Sequence, residues 1–203
     1  MRKIITTTFV TLDGVMQAPG GPEEDTSREF KYGGWTANYW DEIGGSVMSG
    51  FMKMPFDLLL GRKTYDIFAS YWPDAKEDGE IKEKFNAAKK YVVSHEAKEL
   101  AWNNSELITG DVAERIRELK KQDGPDLWVH GSGNLIQTLL KENLIDRMHV
   151  WIFPVVVGGG KRLFENGVPA QGLKLVDSKT ASTGVVIATY EPAGELVTGT
   201  IGE

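Results

Sequence analysis

The sequence predicts an α/β fold: a central, mostly parallel sheet of about eight strands, with helices on both faces and an antiparallel hairpin at the C-terminal end. Short segments rich in β-branched residues alternate with helical segments along the chain, a pattern typical of parallel sheets. The 203 residues suffice for one ample domain. We therefore predict a single domain over residues 1–203, with a lid-like loop at 17–37 and a possible tail at 193–203.

The first half of the chain begins with a strand at 3–16, rich in β-branched residues. The stretch after it, rich in Gly, Pro and charge, is longer than ordinary connections and is therefore expected to be functional or disordered. The remaining elements predicted here are a helix at 38–54, a buried strand at 56–61, a helix at 62–72 ended by Pro73, an amphipathic helix at 80–90 and a strand at 91–94.

The second half repeats the alternation and then ends in strands. Asp111 and Glu114 form a capping box for a helix at 112–121. Residues 148–160 are too apolar for anything but a central strand. The other predicted elements are strands at 105–111 and 127–130, a helix at 134–143, and a hairpin of strands 173–181 and 184–193 around Ser182 and Thr183.

Composition excludes several classes of function. The net charge of −6, from 23 Lys and Arg against 29 Asp and Glu, argues against nucleic-acid binding. The absence of cysteine excludes disulfides, thiolate catalysis and Cys-ligated metals, and we expect no metal site. No apolar run approaches the roughly 20 residues of a membrane span, and the N-terminus lacks a signal-peptide core. We expect a cytoplasmic protein that binds a small molecule.

Three strand-to-helix junctions could bind an anion. In the first, Gly61 ends a strand, and Arg62, Lys63 and Thr64 lie where free N–H groups and the helix dipole favour negative charge. The second places Ser94 and His95 after a short strand. Solvated cations and an ordinary turn remain alternatives for these two.

The third junction is the sequence GSG at 131–133, after which Asn134 could cap a helix. It lacks the third glycine of a Rossmann fingerprint, so as a dinucleotide motif it is weak. The later segment VVVGGGKRLF is not a P-loop, because Arg162 follows Lys161 where Ser or Thr is required.

Five segments, in this order and spacing, resemble the dihydrofolate reductase-like superfamily, and in particular its branch with the riboflavin-biosynthesis reductase domain. They are TLDGVM, LLLGRKTYDIFASYWP, KYVVS, LWVHGSGNLIQTLL and IDRMHVWIFPVVVGGGKRLF. The resemblance covers about residues 3–192 and implies a three-layer sandwich with NADPH across the carboxyl ends of the strands. It implies that the cofactor contacts Thr11 and Met16 near the nicotinamide, Gly61, Arg62, Lys63 and Thr64 near its centre, Ser94 and His95 by the 2′-phosphate, and Gly131, Ser132, Gly133, Asn134 and Leu135 under the pyrophosphate.

Asp41 and Asp13 are the candidate catalytic acids. True dihydrofolate reductases place one acid on the helix after the lid, and Asp41 lies about 100° from the centre of the apolar stripe there. Asp41 is equally well explained as an acid near the start of a helix, where the helix dipole favours negative charge. Asp13 is equally well explained as the residue that forms an Asx turn. Candidate substrate contacts are Trp35, Tyr39, Trp40 and Pro154, although aromatic residues at such spacing are more often core.

The predicted function is an NADPH-dependent reductase of a small heterocycle, either a pyrimidine of the 5-amino-6-(5-phosphoribosylamino)uracil type or a pterin. Two departures from the family leave the substrate open: we find no counterpart of the arginine that grips folate, and we expect no deaminase domain. The alternatives are a flavin-related reductase and a non-catalytic nucleotide-binding or sensing domain. The apolar strand at 148–160 and the terminal hairpin could supply a homodimer interface.

Overall fold

The computed structural model describes residues 1–76 and 79–202. Eight strands form one sheet in the order β4-β3-β2-β5-β1-β6-β8-β7. The first six strands in that order run parallel, while β8 is antiparallel to β6 and β7 to β8. The strands are β1 (Ile4–Thr11), β2 (Phe56–Gly61), β3 (Lys90–Val93), β4 (Ser105–Ile108), β5 (Asp126–His130), β6 (Arg147–Phe153), β7 (Leu173–Thr180) and β8 (Val186–Pro192).

Among the described residues, five α-helices cover the two faces of the sheet. A hydrophobic core lies between the sheet and the helices on each face. The first core contains side chains of α1, α2 and α3, and the second contains those of α4 and α5. The helices are α1 (Glu42–Met52), α2 (Arg62–Tyr71), α3 (Glu80–Ala87), α4 (Val112–Lys121) and α5 (Gly133–Lys141). The predicted α/β fold, with its mostly parallel sheet and C-terminal antiparallel hairpin, is confirmed.

Several predicted elements are shorter in the structure, three of them considerably. The first strand ends at Thr11, because the chain turns back there and the Thr11 N–H donates to the Val15 carbonyl (2.8 Å). The strand predicted at 148–160 ends at Phe153, where Pro154 supplies no N–H and Gly158 and Gly160 take φ of +81° and +131°. The helix predicted at 38–54 begins only at Glu42, with Asp41 as its N-cap.

The predicted lid-like loop is held in place by partly buried hydrogen bonds. Gln17 is its anchor: its amide donates to the carbonyls of Asp25 (3.0 Å) and Ser27 (2.8 Å), and its Oε1 accepts the Lys161 N–H (3.0 Å). The Trp35 indole donates to the Gln17 carbonyl (2.8 Å). Two short 3-10 helices lie within or beside this loop, Ser27–Glu29 and Ala37–Tyr39.

Candidate functional site

A cavity of about 1280 Å³ lies along the carboxyl ends of the central parallel strands, the edge where ligands bind in open α/β sheets. Its lining comes from both faces of the sheet. One part, which we call the junction arm, is formed by the three strand-to-helix junctions, the start of α4 and the loops before α1 and after β6. The other part, the α1 arm, lies under α1 and is lined by Trp40, Met48, Met52, Phe68, Phe85 and His130.

The junction arm brings together the starts of α2 and α5. Ser132, in the left-handed region at φ +63°, accepts the Gly61 N–H at its Oγ (2.9 Å) and so ties the two junctions together. Gly131, at φ +57°, also needs the left-handed region, which a side chain disfavours. A Cβ added at Gly133 would lie 3.4 Å from Met16 Sδ. The first N–H groups of α5 have no intrahelical partner and are therefore free to bind an anion here.

Lysines from two segments meet one carboxylate beside these junctions. Asp25 of the 17–37 loop pairs with Lys63 of α2 (Nζ–Oδ1 2.5 Å) and with Lys161 of the loop after β6 (Nζ–Oδ2 2.7 Å). Burial by itself would raise the pKa of Asp25, but the hydrogen bonds from Lys161 and Lys63 hold it well below its usual range. These ion pairs attach the loop to the edge of the cavity.

Arg62, at the start of α2, is only partly satisfied. Its Nε donates to both oxygens of Asp66 (2.9 and 3.0 Å), while its buried Nη1 has no partner among the described residues. The hydrogen bond that Arg62 donates to Asp66 is the main reason that the pKa of Arg62 is raised. A buried guanidinium donor without an acceptor is unfavourable and suits a ligand oxygen at this position.

At the second junction, the Ser94 hydroxyl donates to the Glu96 carbonyl (2.9 Å) and accepts the Glu96 N–H (3.1 Å), so it shapes the turn. The Glu96 carboxylate pairs with Lys98 (2.5 Å), which holds the pKa of Glu96 below its usual value. His95 is exposed and, like Lys98, lines the cavity. This corner therefore offers an anion the Lys98 ammonium group, which the Glu96 carboxylate already pairs with.

All but one of the predicted cofactor residues line this cavity: Met16, Gly61, Arg62, Lys63, Thr64, Ser94, His95, Gly131, Ser132, Gly133, Asn134 and Leu135. Thr11 does not. Its hydroxyl donates to Asp13 Oδ1 (2.6 Å) and accepts the Val15 N–H (2.9 Å), so it fixes the turn that leads to Met16. The role of all these residues in binding a cofactor stays a prediction.

The structure gives Asp41 hydrogen bonds that account for both of its carboxylate oxygens. Oδ1 accepts the Gly44 N–H (2.8 Å) as the N-cap of α1, and Oδ2 accepts both the N–H and the hydroxyl of Ser182 in the β7–β8 turn (2.7 Å each). The Gly44 N–H and then Ser182 lower the pKa of Asp41. The carboxylate lies outside the cavity lining, and its contacts fasten α1 to the hairpin.

Asp13 also lies outside the cavity lining. It accepts hydrogen bonds from Thr11 (2.6 Å), from the Gly158 N–H (2.9 Å) and from the Val157 N–H (3.3 Å). Its slight burial would raise its pKa, but these hydrogen bonds lower it overall. The catalytic assignment of Asp13 and Asp41 stays a prediction, and the geometry gives both a supporting role.

Of the four predicted substrate contacts, only Trp40 lines the cavity. It meets the Phe9 ring edge-on, with centroids 5.6 Å apart. Trp35 and Tyr39 instead pack edge-on against Phe153, at 5.3 and 6.1 Å. Pro154 lies at the β7–β8 turn, 3.6 Å from a Cβ built at Gly184.

Sequence reasoning missed several residues of the cavity. Some belong to the α1 arm, above all Met48, Met52, Phe85 and His130, and others to the junction arm, such as Lys98, Lys161 and residues 110–113 around the start of α4. His130 had a usable signal, because it is the last residue of β5, directly before the GSG turn. The methionines and Phe85 had none, since apolar residues at helical spacing also predict core.

The match to a family model decides the relationship. The RibD C-terminal domain model matches residues 2–187. The chain belongs to the RibD C-terminal domain family. Its relatives include the protein YyaP of Bacillus subtilis (strain 168), which is 31% identical over 192 residues, 93% of this chain and 94% of YyaP.

Solved structures agree on the fold. A protein assigned to riboflavin biosynthesis from Shewanella sp. PV-4 superposes with a TM-score of 0.69 at 21% identity, covering 94% of this chain and 98% of that one. Dihydrofolate reductase from Enterococcus faecalis, complexed with NADP(H), superposes with a TM-score of 0.59 at 12% identity, covering 94% and 96%. The reductase-type, dihydrofolate reductase-like fold and the RibD C-terminal branch are confirmed.

The described residues lack two kinds of feature. None of their helices is long and apolar enough to cross a membrane. No group of three or more His, Cys, Asp or Glu side chains in that part of the chain is arranged to hold a metal ion.

Proposed function

We propose that this protein is an NADPH-dependent reductase of a small heterocyclic substrate, a pyrimidine or a pterin. The observation that carries the proposal is the single cavity that joins three anion-competent junctions to an apolar arm across the sheet. A dinucleotide needs the anion-competent junctions for its phosphates, and a flat substrate ring needs the apolar arm. The reductase-type fold of the family supports the same assignment.

The residues of the junction arm fit a nicotinamide dinucleotide. The α5 N-terminus, with glycines at 131 and 133, leaves room for a pyrophosphate, because any side chain at 133 would approach Met16. The unpartnered Nη1 of Arg62 and the cations Lys63 and Lys98 suit phosphate oxygens. His95 and Lys98 favour a 2′-phosphate, and Glu96 between them opposes it. When bound, the cofactor would supply the hydride.

The chain's own residues would position the reactants. The 17–37 loop, held by Asp25 and Gln17, covers one side of the cavity and limits the access of water to the reacting groups. The aromatic and methionine surface of the α1 arm would hold a flat ring in the same cavity as the dinucleotide. No carboxylate of the catalytic candidates reaches this space.

A matched pair of glycine variants tests the proposal. Gly133→Leu would fill the cradle at the start of α5, whereas Gly50→Leu adds the same side chain to α1 where nothing lies within 4 Å. Titration with NADPH, followed by nicotinamide fluorescence, should show at least about tenfold weaker binding for Gly133→Leu only. Equal NADPH affinity of both variants and the wild type, or no NADPH binding at all, would contradict the proposal.

A further inference from the structure

Four buried polar side chains stand in one row across the face of the sheet that α1 covers. His130 of β5 is in register with Thr7 of β1, Thr7 with His149 of β6, and His149 with Thr189 of β8. All four are at least nine-tenths buried. We call them the polar row. Because polar groups buried among aromatic rings are costly without hydrogen bonds, each member should have a partner.

Only half of the polar row has hydrogen-bond partners among the residues that the structure describes. His149 Nδ1 is hydrogen-bonded to Thr189 Oγ1 (2.9 Å). His130 Nε2 and Thr7 Oγ1 are buried and have no partner among the described residues. The division follows the cavity: Thr7 and His130 line it, whereas the satisfied pair lies outside its lining. A ligand in the α1 arm would therefore lie beside both unpartnered side chains of the polar row.

The surroundings of His130 favour a flat ring. The imidazole lies 5.1 Å from the Phe85 ring and 6.5 Å from the Phe68 ring, centroid to centroid. Met48 and Met52 of α1 line the same arm, and thioethers adapt to aromatic faces. Burial lowers the pKa of His130 to about 4, so the side chain is neutral at pH 7.

Charged groups are scarce in this arm. Among the described residues on α1, α2 beyond its first turn, α3 and the strands beneath them, the charged side chain that lines the cavity is Glu80, which is exposed and already pairs with Lys84 (3.0 Å). The Lys and Arg side chains that line the cavity belong instead to the junction arm. A phosphate placed in the α1 arm would lose water without gaining a cation, which is strongly unfavourable.

From these observations we infer that the α1 arm binds an uncharged, flat, carbonyl-bearing ring whose polar edge is hydrogen-bonded by His130 and Thr7. This inference rests on the proposed function and names the substrate class of that reductase. The Thr7 hydroxyl donates to a carbonyl oxygen or accepts from a ring N–H, and neutral His130 offers one donor and one acceptor. A ring whose phosphoribosyl group would lie within this arm is excluded from the class, because this arm supplies nothing to pair with the phosphate.

Binding of two related tricyclic rings tests the inference without a need for turnover. Lumichrome is uncharged and carries two carbonyl groups, whereas riboflavin 5′-phosphate carries a ribityl phosphate on a closely related ring. Titration of the protein in saturating NADP⁺, which would fill the junction arm, followed by ligand fluorescence, should show lumichrome bound at least about tenfold more tightly than riboflavin 5′-phosphate.

Variants of the two histidines assign the contact. His130→Phe keeps the aromatic packing and removes the polar edge, so it should weaken lumichrome binding about tenfold, a typical effect of an unpaired buried group. His149→Phe is the matched control: it removes a buried imidazole of the same row that does not line the cavity, and lumichrome affinity should stay unchanged. His130→Asn, which keeps a donor and an acceptor, should retain most of the affinity.

The outcomes separate this inference from the proposed function. If the protein binds NADPH, three results would overturn this inference and leave the proposed function standing. They are equal affinity for riboflavin 5′-phosphate and lumichrome, no binding of lumichrome, and a lumichrome affinity that His130→Phe does not change. Conversely, lumichrome binding that depends on His130, in a protein that does not bind NADPH, would support the uncharged-ring site and remove the proposed reductase function.

Discussion

Two buried histidines should make this protein sensitive to mild acid. Burial lowers the pKa of His130 to about 4, helped by the nearby His149, and burial together with the charge of Arg147 lowers the pKa of His149 to about 4. In the unfolded chain both titrate near their ordinary value of about 6.5. Above pH 6.5 both states are neutral and no penalty arises. As the pH falls from 6.5 towards 4, only the unfolded state takes up protons, so the folded state loses stability.

The size of the loss follows from the two pKa values. At pH 5 the unfolded state gains about 2 kcal/mol per histidine from proton uptake, so the pair costs about 4 kcal/mol relative to pH 8. Domains of this size have a total stability of about 5–15 kcal/mol. The loss is therefore large enough to approach unfolding at pH 5.

Urea unfolding at pH 8 and at pH 5, followed by tryptophan fluorescence, measures this loss. The double variant His130→Phe/His149→Phe should show a difference in unfolding free energy between the two pH values that is about 4 kcal/mol smaller than in the wild type. His95→Asn, which removes the exposed third histidine, should match the wild type. If the double variant loses as much stability as the wild type between pH 8 and pH 5, the account of the two histidines is wrong.

Three further predictions concern the loop, the N-cap and the sheet edge. Gly160→Ala should lower the free energy of unfolding in urea by at least about 2 kcal/mol, because its Cβ would lie 2.7 Å from Val15 Cγ1. Gly159→Ala, whose Cβ would have nothing within 4 Å, should be nearly neutral. Equal effects of the two variants would contradict the close packing of Gly160 against Val15. Asp41→Ala should lower Tm by a few degrees while NADPH affinity stays unchanged, and a loss of affinity would instead place Asp41 in the site. Edge strand β7 is exposed along its whole length, so we expect a homodimer by light scattering and a monomer for Val176→Glu; a monomeric wild type would contradict this.

The sequence was sufficient to predict the sheet and the three junctions, because both depend on local signals. Segments rich in β-branched residues predict the strands. Gly61, Gly131 and Gly133 indicate the junctions where a strand is followed closely by a helix. In a parallel sheet those places share one edge, so their convergence in one cavity follows from chain order alone.

What the sequence does not contain is strand register and long-range pairing. His130, Thr7 and His149 are far apart in the chain and become neighbours only when β5, β1 and β6 align. Asp41 looked free to act as an acid because its partner, Ser182, is 141 residues away. Lys63 and Lys161 similarly meet Asp25 only through the fold. Local sequence patterns therefore could not predict how the polar groups of the site pair with one another.

Calorimetric titration of the wild-type protein with NADPH, and separately with NADH, tests the central claim most directly. A junction arm that holds the dinucleotide predicts one NADPH bound per chain, with NADH at least about tenfold weaker because it lacks the phosphate that Lys98 and His95 would contact. Heat and stoichiometry that show neither dinucleotide bound would contradict the claim that this cavity is a cofactor site.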